Sequence, residues 1–227
     1  MRTTRFALCL LSFALFLSVS AETRGDFIFD ARNDFVPGSP VSGVNGVWSY
    51  GYLGGSSGFA LFEEYTSNPN GYGWRRLPNE NGAPGLYRFT ASGVLPGINA
   101  GDLVLHPGSH LDDEYAVLRF TAPTSGLYDL SAVWEAGDSG DVDIRVFRGN
   151  LELYSDLGDA NGGSFSDSGL LLSTNETIEL RVGRFGGFYN DSTPVNMTIT
   201  GVPEPAFPIV LGFGLVWPLL RRRKLNL

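Results

Sequence analysis

Short runs of alternating apolar and polar residues, each closed by glycine or proline, constrain this chain most. In "GLYDLSAVWEAG", residues 126–137, Tyr128, Leu130 and Ala132 fall on one side, and Leu127, Asp129 and Ser131 fall on the other. A period of two places one face of a strand inward and the other in water. The same pattern recurs along the chain. "FIFDARNDF", "VWSYGYL", "FALFEEYT" and "LYRFTAS" are candidate strands in the first half. "YAVLRFTAP", "VDIRVFRGN", "LELYSDLG", "GLLLST", "ETIELRVGRF" and "NMTITGV" follow in the second, and no long amphipathic helix interrupts them. Thirty glycines and thirteen prolines punctuate the runs, and Gly149-Asn150 reads as a two-residue hairpin turn. The fold expected is all-β: an antiparallel β-sandwich or jelly roll over residues 22–201. The stretch from Asn68 to Pro84, with its prolines and asparagines, reads as the longest loop.

The two ends differ from the middle. Arg2 and Arg5 precede the apolar run Phe6–Val19, and Val19 and Ala21 fit the −3 and −1 positions of a signal-peptidase site. Residues 1–21 are therefore expected to be a signal peptide. Its removal takes away Cys9, the only cysteine, so the exported part must rely on a packed core rather than disulfides. At the other end, Ala206–Leu220 carries no charge, and Arg221, Arg222, Arg223 and Lys224 follow at once. Fifteen residues are short for a span, which takes about 20. The basic block argues against a buried core helix and for a membrane boundary with the positive side in the cytoplasm.

Charge separates the same way. Residues 22–201 hold ten arginines, no lysine and twenty-three carboxylates, a net of −13. Such a surface repels phosphate backbones, which excludes nucleic acid as an expected partner.

The order Val202-Pro203-Glu204-Pro205, short apolar helix, basic cluster resembles the PEP-CTERM sorting signal of exported proteins in Gram-negative bacteria that make extracellular polysaccharide. The resemblance covers residues 202–227. It implies that an exosortase reads Pro203, Glu204 and Pro205 and removes the tail, with transient residence in the inner membrane. The two prolines fit such a role, because they hold the backbone extended. It also implies a final place in the cell envelope or outside it.

"AVLRFTAPTSGLYDLSAVWEAGDSGDVDIRVFRGN" and "ETIELRVGRFGGFYNDSTPVNMTIT" resemble a β-sandwich module common in bacterial surface proteins. The likeness spans about 100 residues. Phe120 stands where the module has tryptophan, and Asn175-Glu176 where it often has Gly-Asp. The module implies a jelly-roll shape like that of carbohydrate-binding modules, without a set ligand.

Catalytic chemistry is sparse. "GDSGD", residues 137–141, has the look of a protease nucleophile segment, but a serine needs a histidine base, and His106 and His110 are the only histidines. "HPGSHLDDE" from His106 to Glu114 is dense in metal-ligand types but reads as a surface loop. Asp138, Asp141 and Asp143 are the candidates for a calcium ion, since hard oxygen ligands suit it. For sugar, flat rings are the natural platform. Trp74, Trp48 and Tyr72 are the candidate binding residues, and Trp134 is expected in the core. The reading that follows is a non-enzymatic envelope or matrix protein associated with extracellular polysaccharide. The alternative is a secreted glycosidase-like hydrolase working through acidic pairs such as Glu63-Glu64 or Asp112-Asp113.

Overall fold

The computed structural model describes residues 27–202, except 44, 55–57, 81–82, 110–113 and 160. The expected signal-peptidase positions Val19 and Ala21, the Pro203–Pro205 stretch, the apolar segment 206–220 and the basic residues Arg221, Arg222, Arg223 and Lys224 lie outside the described residues. Among the described residues no helix is long and apolar enough to cross a membrane.

The expected all-β architecture is present: two antiparallel sheets packed face to face. The eight-stranded sheet runs β12 (Gly162–Leu172), β9 (Gly126–Glu135), β14 (Thr193–Val202), β7 (Leu103–His106), β6 (Ala83–Phe89), β5 (Gly71–Glu80) and β4 (Glu64–Asn68). β1 (Phe27–Asp30) is its eighth strand. It pairs with the end of β14, from Thr198 to Gly201, while β7 pairs with the beginning of β14. The six-stranded sheet runs β11 (Leu151–Asp159), β10 (Val142–Arg148), β13 (Thr177–Arg184), β8 (Ala116–Thr121), β2 (Trp48–Leu53) and β3 (Phe59–Leu61).

Alternation decides what fills the space between them. Ile144 and Val146 on β10, Ile178, Leu180 and Val182 on β13, and Leu118 and Phe120 on β8 are fully buried from one side. Leu130, Ala132 and Trp134 on β9 and Val195, Met197 and Ile199 on β14 meet them from the other. Burial of this apolar area is the main favourable contribution to folding. Arg148 and Leu151 face each other across Gly149 and Asn150, with Gly149 at φ 54°, which is the hairpin the sequence signals.

Four segments differ from the sequence reading. "FIFDARNDF" is not one strand. β1 stops at Asp30, whose side chain accepts the Asn33 N–H at 3.1 Å and caps the one-turn helix α1 (Ala31–Asp34). "FALFEEYT" breaks into β3 and β4 because Phe62 turns into the core. "GLLLST" is only the end of the long edge strand β12. The supposed loop from Asn68 to Pro84 is mostly β5. Glycines and a proline hide its alternation, yet Tyr72 and Trp74 face inward while Gly71, Gly73 and Arg75 face out.

Candidate functional site

The aromatic residues singled out from sequence lie inside the sandwich. Trp48 is fully buried, packs edge-on against Phe120 and donates its indole N–H to Asp34 Oδ2 at 2.8 Å. Tyr72 is buried, stacks on Phe35 and donates its hydroxyl to the Phe35 carbonyl. Trp74 sits on β5, not on a loop. It is half-buried against the core, edge-on to Tyr65, with its N–H given to the Ser39 carbonyl at 2.8 Å. None of the three presents a free ring, because each occupies the inward phase of its strand. Trp134 is buried, as expected.

The three candidate calcium ligands do not share one place: Asp138 and Asp141 both lie near Asp191, and Asp143 points elsewhere. Asp143 lies on the outer face of the six-stranded sheet, where Arg145 and Tyr115 bond it. Asp138 is buried in the β9–β10 loop and accepts the Ser192 N–H at 2.9 Å. No group of three His, Cys, Asp or Glu side chains that could hold a metal occurs among the described residues. Glu63 accepts from the Tyr52 hydroxyl and the Leu77 N–H, while Glu64 pairs with Arg75 at 2.6 Å. His110, Asp112 and Asp113 lie outside the described residues. His106 donates Nδ1–H to the Pro107 carbonyl, and burial lowers its pKa, so it is held neutral.

Asp191 lies in the β13–β14 loop, in the Asp191-Ser192-Thr193 stretch that forms part of the module resemblance. It is 2 % exposed and its Oδ2 has no hydrogen-bond partner. Burial first, then the Asp138 and Asp141 carboxylates, push it up to about 7, against the pull of Arg184. The folded chain thus holds a proton that the unfolded chain, near 3.8, has released. The resulting stability is complete below about pH 4 and is lost as pH rises through about 7. Thermal melts from pH 8 to pH 5 should show a gain of a few kcal/mol on acidification. Asp191→Asn should flatten that gain; an unchanged pH slope in the variant would refute the assignment.

The outer face of the six-stranded sheet carries a closed polar lattice. Glu179, 2 % exposed, accepts from Arg119 Nε at 2.6 Å and Arg181 Nε at 2.7 Å. Arg119 lies over the Phe59 ring at 3.4 Å and Arg181 over Phe147 at 3.7 Å. Cations, carboxylates and rings here satisfy one another, so the face offers few free groups.

The outer face of the eight-stranded sheet is different. Across β4, β5 and β6, Thr66, Gly73 and Tyr87 form one cross-strand row, and Glu64, Arg75 and Gly85 form the next. The glycines leave a bare patch that the Tyr87 ring covers. A Cβ on Gly73 would come to 2.7 Å, and one on Gly85 to 2.5 Å, from ring atoms of Tyr87. Glycine inside a strand marks this kind of close approach. Burial pushes the Tyr87 phenol up to about 12, so its hydroxyl stays protonated at ordinary pH.

Beside this ring is a pocket of about 120 Å³, lined by Thr66, Asn68, Asn70, Tyr87, Arg88 and Phe89 among others. One bound water needs roughly 10–15 Å³, so the pocket has room for a small organic ring. Its rim is fixed in advance. Asn68 Oδ1 accepts the N–H groups of Asn70 and Gly71, and Thr90 ties the turn down by bonding the Pro69 and Asn70 carbonyls. Aromatic carbon and amide groups therefore meet on a rigid strand turn. Glycines at 71, 73 and 85 within otherwise strand-like residues are its faint trace in the sequence.

Compared with known proteins, the chain matches no family model and no curated protein. Among solved structures it is similar to the GH26-CBM35 β-(1,4)-mannanase of Podospora anserina, at 15% identity and TM-score 0.30. That match covers 80% of this chain but only 29% of the mannanase. It is similar to the carbohydrate-binding module CBM36, solved in complex with calcium and xylotriose, at 10% identity and TM-score 0.29, covering 47% of this chain and 83% of that one. It is also similar to a family 35 carbohydrate-binding module from Clostridium thermocellum, at 12% identity and TM-score 0.28, with coverages of 46% and 85%. At such values the functional reading rests on the residues themselves.

Proposed function

We propose that this chain is an exported, non-enzymatic protein of the cell envelope or extracellular matrix, and that it associates with polysaccharide. The pocket beside Tyr87 carries the proposal. It combines an aromatic surface for the CH face of a sugar, side-chain amides for its hydroxyls, and a pre-formed rim. Its size suits one sugar ring rather than an extended chain. Affinity is accordingly modest, of order 1 mM to 1 µM. Export, exosortase processing at Pro203–Pro205 and passage through the inner membrane rest on the signal-peptide pattern and the C-terminal arrangement. The non-catalytic reading is supported by the engagement of Glu63 and Glu64 with Tyr52, Leu77 and Arg75.

The test is co-sedimentation of the full chain with polysaccharide from the producing bacterium. Wild type should pellet with it. Tyr87→Ala should lose about tenfold in affinity, since a stacked ring contributes on the order of 1 kcal/mol or more. The melting temperature should change little, because the ring lies outside the core. Equal pelleting of both proteins would remove the pocket from the account, and no pelleting of wild type would remove polysaccharide binding altogether.

A further inference from the structure

Large apolar side chains left in water gather at one end of the sandwich. Phe27 and Ile28 open β1, Leu127 lies at the start of β9, Leu151 at the start of β11 and Leu171 near the end of β12, and each is at least 44 % exposed. Leu127 pairs directly with Leu171 on one side and with Val202 on the other. Ile28 stands in the next row, opposite Thr200 and then Asp129. The β10–β11 hairpin reaches the same place, since Gly149 donates its N–H to the Thr177 carbonyl and Arg148 bonds the Leu171 carbonyl. The carboxylates here are engaged: Glu176 pairs with Arg148, and Asp129 accepts the Gly169 N–H at 2.8 Å. The other end of the same strands is acidic. Glu135, Asp138, Asp141, Asp159 and Asp191 lie there. From Leu127 to Glu135, β9 alone spans about 27 Å.

We propose that this apolar end rests on a phospholipid surface while the chain is held in the inner membrane. This depends on the membrane passage proposed above and adds which part of the sandwich meets the lipid. The chain itself decides the occupant. β14 ends at Val202, in the apolar row, and the uncharged run 206–220 begins four residues later. Four residues reach at most about 14 Å, so a bilayer that holds the run brings its surface to this end and not to the acidic one. Exposed apolar patches rimmed by polar residues mark contacts of this kind. Side chains of this size enter the headgroup boundary and gain by leaving water. The acids, a strand's length away, escape the anionic headgroups that would repel them. Contact at one end fixes which way the domain faces, with the acidic end turned to the aqueous side.

The experiment places the full chain, with Cys9→Ser, in vesicles of phosphatidylethanolamine and phosphatidylglycerol whose headgroups carry a nitroxide quencher. A fluorophore is attached to one introduced thiol, through Ser173→Cys at the apolar end or Asn161→Cys at the acidic end; both positions are exposed. The label at position 173 should lose most of its emission, and the label at 161 almost none. Adding Leu127→Glu and Leu171→Glu should restore the emission at 173 while the chain still floats with the vesicles. If the chain does not float, the membrane passage fails and the inference with it. If it floats and the two labels are quenched alike, the inference alone fails. If the double variant turns a dimer into a monomer in detergent without changing the quenching at 173, the face joins two copies and the inference fails. Should the double variant not fold by its melting curve, the contrast between 173 and 161 in the parent chain decides alone.

Discussion

Glu179→Ala is expected to destabilise the β-sandwich by about 3–5 kcal/mol, the scale for removing one partner of a buried ion pair. The glutamate is 2 % exposed on a sheet face and joins two arginines from adjacent strands, Arg119 and Arg181. Without it the two guanidiniums remain close, pinned over Phe59 and Phe147, with no negative group between them. Both keep some contact with water, which limits the loss and places the expected value toward the lower end. Glu179→Gln should recover part of it, because the amide oxygen still accepts from one arginine. Denaturant unfolding measures the difference. A loss below about 1 kcal/mol would mean that the lattice is an ordinary exposed set of ion pairs.

Trp134→Ala should cost a similar amount, about 3–5 kcal/mol, for a different reason. Trp134 is 2 % exposed and packs against Tyr154. Its fit is close: a Cβ on Gly163 of the neighbouring strand would come to 2.8 Å from the indole. The indole N–H also donates to Asp159 Oδ2 at 2.6 Å. Alanine removes the packed area and leaves a cavity, which lowers the melting temperature by roughly 10 °C for a domain of this size. Trp134→Phe separates the two contributions, since it keeps much of the ring and drops only the hydrogen bond. Equal losses in both variants would show that the bond to Asp159, not the packing, dominates.

Strand by strand, legibility followed alternation. β9 reads directly from "GLYDLSAVWE", because every second side chain meets the core and the others meet water. β7 does not, since Leu103, Val104 and Leu105 are all buried and a three-residue apolar run has no period. β5 was concealed because Gly71 and Gly73 make room for neighbours rather than for a turn. The α1 turn was concealed because Asp30 ends the strand through its side chain, a local competition that composition does not announce.

The site was harder to read for a related reason. Trp48, Tyr50 and Tyr52 do share one phase of a strand, but pattern alone does not say whether that phase points inward. It does, and so these rings serve packing. The pocket comes instead from residues that look ordinary in sequence. Asn68 and Asn70 belong to a tight turn, and Tyr87 is one tyrosine among nine. Their meeting exists only in three dimensions.

The central claim is that polysaccharide is held beside Tyr87. Mapping backbone amide shifts during titration with oligosaccharides cut from extracellular polysaccharide tests it most directly. The perturbed amides are expected to cluster at 68–71 and 87–89, on the β4–β5 turn and the end of β6. Perturbations centred instead on Arg119, Phe147 and Arg181 of the six-stranded sheet, or none at saturating ligand, would contradict it.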